Sequence, residues 1–176
     1  MFAARMNTPV AVAELFGIEA DRLLKHLRVP LATPRSNPLA GWPKHPKMKK
    51  LLALCDGFAL FHPGPPLRIF GSQDYQELRD SEINSDSSRL GLLPILGDCP
   101  HLTSLLVSTG AVVATDWEVK AQPQDGWLRH IAGSFEEYIR TAIEVREAYG
   151  EPEGAWPSDW WGPYASSGDR YDLEKR

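Results

Sequence analysis

Two cysteines, Cys55 and Cys99, are all that the 176 residues contain. That is too few for a disulfide framework and fits a reducing compartment. Long apolar runs are missing as well. Charges or prolines break every one before the roughly 18 residues that a membrane helix requires. Behind Arg5, the opening segment Met1 to Asn7 leads into no uninterrupted apolar core, so a secretory signal is not expected. Nor is there the strongly basic balance of a nucleic-acid binder, since the net charge is −4. These lacks leave the expectation of a soluble cytoplasmic protein with neither a membrane nor a nucleic-acid partner. What is present, 43% hydrophobic and 24% charged residues, suits one globular domain.

The charge is unevenly spread. Residues 1–50 carry a net +6, residues 51–150 a net −7 and residues 151–176 a net −3. The basic run Lys44, His45, Lys47, Lys49, Lys50 surrounds the apolar positions Met48, Leu51, Leu52 and Cys55, which is the pattern of a solvated helix face. The acidic run is different. Asp74, Glu77, Asp80, Glu82 and Asp86 fall within thirteen residues of low hydrophobicity, so residues 73–88 read as a surface excursion between two strands. Such a run is either a solvated loop that aids solubility or a surface that would draw a basic protein partner by complementary charge. On the second reading these five residues are the candidate protein-binding site.

Local periods set the expected architecture. Ile131, Phe135, Tyr138, Ile139, Ala142 and Ile143 recur at spacings of three and four, the face of a helix from Phe135 to Tyr149. Ser134 and Glu137 form a capping box, and Gly150 supplies the stop. A second helix is expected from Pro46 to Cys55 and an amphipathic stretch from Val10 to Leu27, broken at Gly17. Between them the period falls to that of strands: Phe58–Phe61, Leu67–Phe70, Leu90–Leu96, Leu102–Val107 and Ala111–Ala114. Pro94 confines its run to an edge strand or displaces its end. The fold class is therefore α+β, one mainly antiparallel central sheet flanked by helices in a single domain. Along the chain, residues 1–43 form a helical segment with a proline-rich connection, residues 44–149 the core and residues 150–176 a tail. Trp156, Trp160, Trp161 and Tyr164 stand in that tail among Gly, Pro, Ser and Asp. Indoles are costly to leave in water, so the tail is expected to dock on the core.

Signatures of common catalysis are missing: no Gly-rich phosphate loop, His-Glu-x-x-His, Cys-x-x-Cys pair or Gly-x-Ser-x-Gly elbow. Asp98-Cys99-Pro100-His101 is the best local cluster. A thiol beside an imidazole could act as a nucleophile or contribute to a zinc site, with Cys55 as a further ligand. The commoner reading is a buried cysteine and a loop histidine. Asp116-Trp117-Glu118 and His130 read as a polar strand end and a residue one turn before the last helix. No catalytic residue, metal or cofactor is expected.

The order of motifs resembles the SUKH superfamily of cell-wall-synthesis regulators and bacterial immunity proteins. Met48-Lys49-Lys50-Leu51-Leu52-Ala53-Leu54-Cys55-Asp56-Gly57-Phe58 resembles its helix running into an Asp-Gly-Phe turn. Leu67-Arg68-Ile69-Phe70-Gly71 is similar to the following strand, and Leu93-Pro94-Ile95-Leu96-Gly97-Asp98 to the next strand and turn. Gly110-Ala111-Val112-Val113 with Asp116 is similar to a hairpin, and Ile131-Ala132-Gly133-Ser134-Phe135-Glu136-Glu137-Tyr138-Ile139 to the closing helix. The resemblance covers about Lys44 to Tyr149. It implies a non-enzymatic α+β module that binds protein, in bacteria often to neutralise a toxin. A hydrolase or metal-dependent enzyme built on Asp98, Cys99 and His101 is the alternative.

Overall fold

The computed structural model describes residues 8–35, 45–61, 67–79, 91–98, 101–116 and 128–150. The first helices are α1 (Thr8–Phe16) and α2 (Ala20–His26). Gly17, at φ +62°, separates them. Ile18 N–H reaches back to Ala13 O at 3.0 Å and Gly17 N–H to Glu14 O at 3.2 Å, the paired bonds of a Schellman stop, which requires a left-handed residue at this position. After α2 the chain runs beside strand β1 (Phe58–Leu60), through a Leu27–Leu60 bridge and the bonds Arg28 N–H to Ala59 O and Phe61 N–H to His26 O.

Helix α3 (Pro46–Leu54) starts on proline, which has no N–H to leave unpaired, and buries Met48, Leu51 and Leu52. β1 pairs antiparallel with β2 (Leu67–Ile69) as a two-stranded sheet. The larger sheet is an antiparallel meander of β3 (Leu92–Asp98), β4 (His101–Leu106), β5 (Val112–Asp116) and β6 (Leu128–Ala132), in that spatial order. Helix α5 (Phe135–Tyr149) closes the domain. Phe16 of α1 links the helices to the small sheet, its ring 5.7 Å from that of Phe58 and 5.0 Å from that of Phe135, both edge-on. One contiguous core results, and it includes Val12, Ala13, Phe16 and Leu23 from the N-terminal helices. No helix among the described residues is long and apolar enough to cross a membrane.

The α+β class, the break at Gly17, helix α3 and the bounds of α5 all agree with the sequence reading. Pro94 lies on an edge strand, where its missing N–H leaves no gap within the sheet. The capping box forms with a shift. Ser134 Oγ accepts Glu137 N–H at 3.1 Å, but the Glu137 carboxylate accepts from Gly133 N–H at 2.8 Å, one residue before the cap.

Three elements differ. The strands divide between two sheets. Residues 128–132 form β6, so Ile131 and His130 belong to a strand and not to the approach to α5; a helical spacing and a strand that buries one residue beside a helix start cannot be told apart over so few positions. Residues 72–79, overlapping the start of the expected surface excursion at 73–88, form α4 (Ser72–Arg79). Its apolar side chains are Leu78, half-buried against the core, and Tyr75, fully buried with its hydroxyl donating to Pro94 O at 2.9 Å. Tyr75 and Leu78 stand three apart on this helix, too short an apolar pattern among polar residues for periodicity to register.

Candidate functional site

The acidic segment and the turn after α3 meet in space. Asp56 and Gly57 leave α3, and Gly71 and Ser72 enter α4. Gly57 sits at φ +72°, and a Cβ there would lie 2.6 Å from Ile69 O and 2.7 Å from Gly71 N. Only glycine allows this approach. The Asp56 carboxylate accepts Ser72 N–H at 2.6 Å, filling one of the unpaired amides at the start of α4, and its other oxygen meets Arg35 Nε at 3.1 Å. Asp74 faces the same junction. It accepts Gly71 N–H at 2.8 Å and pairs with Arg68. Its carboxylate is used to hold the chain together.

Glu77 behaves differently. It is exposed on α4 and accepts from Gln73 Nε2 at 3.0 Å, with Gln76 exposed beside it. Asp80, Glu82 and Asp86 lie outside the described residues. Of the five acidic residues expected to form a docking surface, the structure thus turns Asp74 inward and leaves Glu77 outward.

Sheet register gathers part of the second expected cluster. Asp98 pairs directly with His101 across the β3–β4 turn, and His101 pairs with Asp116 of β5. Asp98, His101 and Asp116 therefore fall on one register row across three strands, with adjacent Cα positions about 5 Å apart. Cys99 lies outside the described residues. Cys55 does not join them. It is the fully buried C-cap residue of α3, where desolvation and the neighbouring Asp56 charge push its thiol up to about 12. That is a core thiol, not a nucleophile. His45, the N-cap residue of α3, is buried too, and burial together with Lys47 lowers its imidazole pKa. Among residues whose side chains are described, no three His, Cys, Asp or Glu are arranged to hold a metal ion.

One polar cluster had no signal in the sequence. Glu147, on the last turn of α5, receives Arg22 Nη2 at 2.6 Å and His26 Nε2 at 2.9 Å, both from α2. These bonds, that from Arg22 foremost, hold its carboxyl down at about 2. The His26 ring lies edge-on to Phe61, which sits at φ +76°, and the Arg146 guanidinium lies 5.8 Å over the same ring. Partners 121 and 125 residues apart cannot be matched by local spacing.

Comparison with known proteins returned no match: no family model fits the sequence, and neither a curated protein nor a solved structure is similar at a significant level.

Proposed function

We propose that this chain is a non-enzymatic protein-binding module of the SUKH type, acting in the cytoplasm, that meets a basic partner such as a toxin domain through the acidic surface begun by α4. The observation that carries this reading is the Asp56–Gly57 junction with Gly71–Ser72. Residues that bear the resemblance spend their chemistry on a backbone crossing, which explains their spacing structurally and leaves recognition to the outward face of α4. On that face Gln73, Gln76 and Glu77 are held by an anchored helix, so a partner would meet a preformed surface. Affinity capture with the full chain from its native cells is the first test, followed by association kinetics with any captured protein. Association should slow as salt rises, and changing Glu77, Asp80 and Glu82 to Gln or Asn should slow association more than it speeds dissociation. An association rate indifferent to both would overturn the docking surface.

The row Asp98, His101, Asp116 favours a second reading, a hydrolytic or metal-dependent centre that also uses Cys99. Histidine and aspartate at adjacent register positions are residue types that can orient a base or ligate a divalent ion. Stoichiometric zinc in the purified protein, lost in His101→Ala, would establish it over the first reading.

A further inference from the structure

Buried polar groups at the α3–α4 crossing are answered, Asp56 by Ser72 N–H and Tyr75 by Pro94 O. His45 is not. It holds the N-cap position of α3, where serine, threonine, aspartate or asparagine would ordinarily bond an unpaired amide, and its side chain makes no such bond. The residue is only 6% exposed, and its Nδ1 is buried without a hydrogen-bond partner. Its Nε2 lies 3.6 Å from where a Cβ on Gly110 would stand, so the ring packs against the open side of that glycine. Gly110 sits in the turn between β4 and β5 at φ +78°, with its N–H bonded to Leu106 O at 2.7 Å. One imidazole thus joins the start of α3 to the tip of a hairpin distant in sequence.

Each feature of this seat opposes a second proton on the ring. The imidazole stands at the N-terminal, positive end of a nine-residue helix, where a cation is disfavoured. Protonation turns both ring nitrogens into donors, and Nδ1 has no acceptor to meet. A buried charge without a partner is costly in any case. The neighbouring charges bring no relief. Lys44 precedes His45 in the sequence and Lys47 follows Pro46, both cations. Lys47 is paired with Glu136 at the start of α5, so that carboxylate is already engaged. The turn residues Val107, Ser108, Thr109 and Gly110 include no ionisable side chain. Burial first, and Lys47 second, lower the imidazole pKa in accord with this geometry. We propose that His45 is a proton-sensitive latch, seated beneath the β4–β5 turn at neutral pH and expelled on mild acidification, so that the turn parts from the start of α3 while the rest of the core stays folded.

A histidine that is neutral when seated takes up its proton on opening. The latch is therefore fully closed above the ordinary histidine value of 6.5 and weakens as pH falls below it. Opening should grow by up to about tenfold for each pH unit below that value. Amide hydrogen exchange on the full chain between about pH 7 and about pH 5, corrected for the intrinsic rate, reads this directly. The N–H groups of Gly110 and Leu106, which bond to Leu106 O and Ala111 O, should lose at least about threefold in protection. Amides in the middle of α5, such as that of Ile139, should keep theirs. In His45→Gln, which stays polar and cannot charge, the pH dependence of the turn should vanish. Protection at the turn that is indifferent to pH, or that falls equally in His45→Gln, would overturn the latch. Loss at Ile139 in step with the turn would overturn it as well, by making His45 a core residue whose charging unfolds the whole domain. Titration of the imidazole in the unaltered chain by NMR needs no variant and keeps the proposal falsifiable if His45→Gln does not fold. A midpoint below 6.5 is expected, and one at or above 6.5 would mean that a carboxylate such as Glu136 receives the proton, which refutes the latch.

Discussion

At the crossing of α3 and α4, the Asp56 carboxylate is answered by a backbone amide, while at the outer corner the Glu147 carboxylate is answered by Arg22 and His26. Both clusters join distant parts of the chain, but they differ in what fixes them. The crossing is steric before it is electrostatic, since Gly57 and Gly71 let two backbones meet and Asp56, its side chain only 13% exposed, then bonds an amide that has no helical partner. The corner consists of long side chains about 30% exposed, free to reorganise and screened by salt. Bond lengths are similar at the two places. The difference in cost should come from burial and from whether a substitution moves the backbone.

That contrast can be broken or sharpened by substitution. Phe135→Ala sets the scale, since this fully packed ring beside Phe16 should cost about 3–5 kcal/mol in denaturant unfolding. A loss below about 1 kcal/mol would mean that the inner face of α5 is not core. Gly57→Ala comes next. A Cβ against Ile69 O combined with a left-handed φ should cost about 3 kcal/mol, lowering the melting temperature by roughly 6–12 °C. Asp56→Ala leaves Ser72 N–H and Arg35 without their acceptor and should cost about 2 kcal/mol, with little response to salt. If it instead behaves like a surface charge, the distinction drawn above fails.

Glu147→Gln should cost no more than about 1 kcal/mol, shrinking further in high salt. Acid titration is the smallest effect and has a definite sign. The carboxyl is held below its ordinary value of 4.5, at about 2, so its contribution is complete above about pH 5 and is lost as pH falls towards 2. The stability difference between the native chain and Glu147→Gln should accordingly be flat near neutrality and close up between about pH 4.5 and 2. A difference that widens on acidification would contradict the assignment of Glu147 to this cluster.

Legibility in the sequence followed the reach of the interaction. Helix α5 could be read because its apolar spacing, its Ser134 cap and its Gly150 stop lie within seventeen consecutive positions. Helix α4 could not, because its stability rests on Tyr75 meeting Pro94 and on Asp56 capping from sixteen residues away. The five acidic residues looked equivalent as a run. Only folding separates Asp74, drawn onto Gly71 and Arg68, from Glu77 in solvent. His101 looked like a loop residue beside Cys99, and the register of β4 is what sets it between Asp98 and Asp116.

By itself, then, the sequence determined the α+β class, the helix at Phe135–Tyr149 and the turns at Gly17 and Asp56–Gly57, since periodicity, capping and glycine freedom act between near neighbours. Tertiary structure decided which carboxylates face water, that the strands divide into two sheets, and that Glu147 holds Arg22 and His26. Those outcomes depend on groups brought together from opposite ends of the chain, and no local spacing encodes their distance in space.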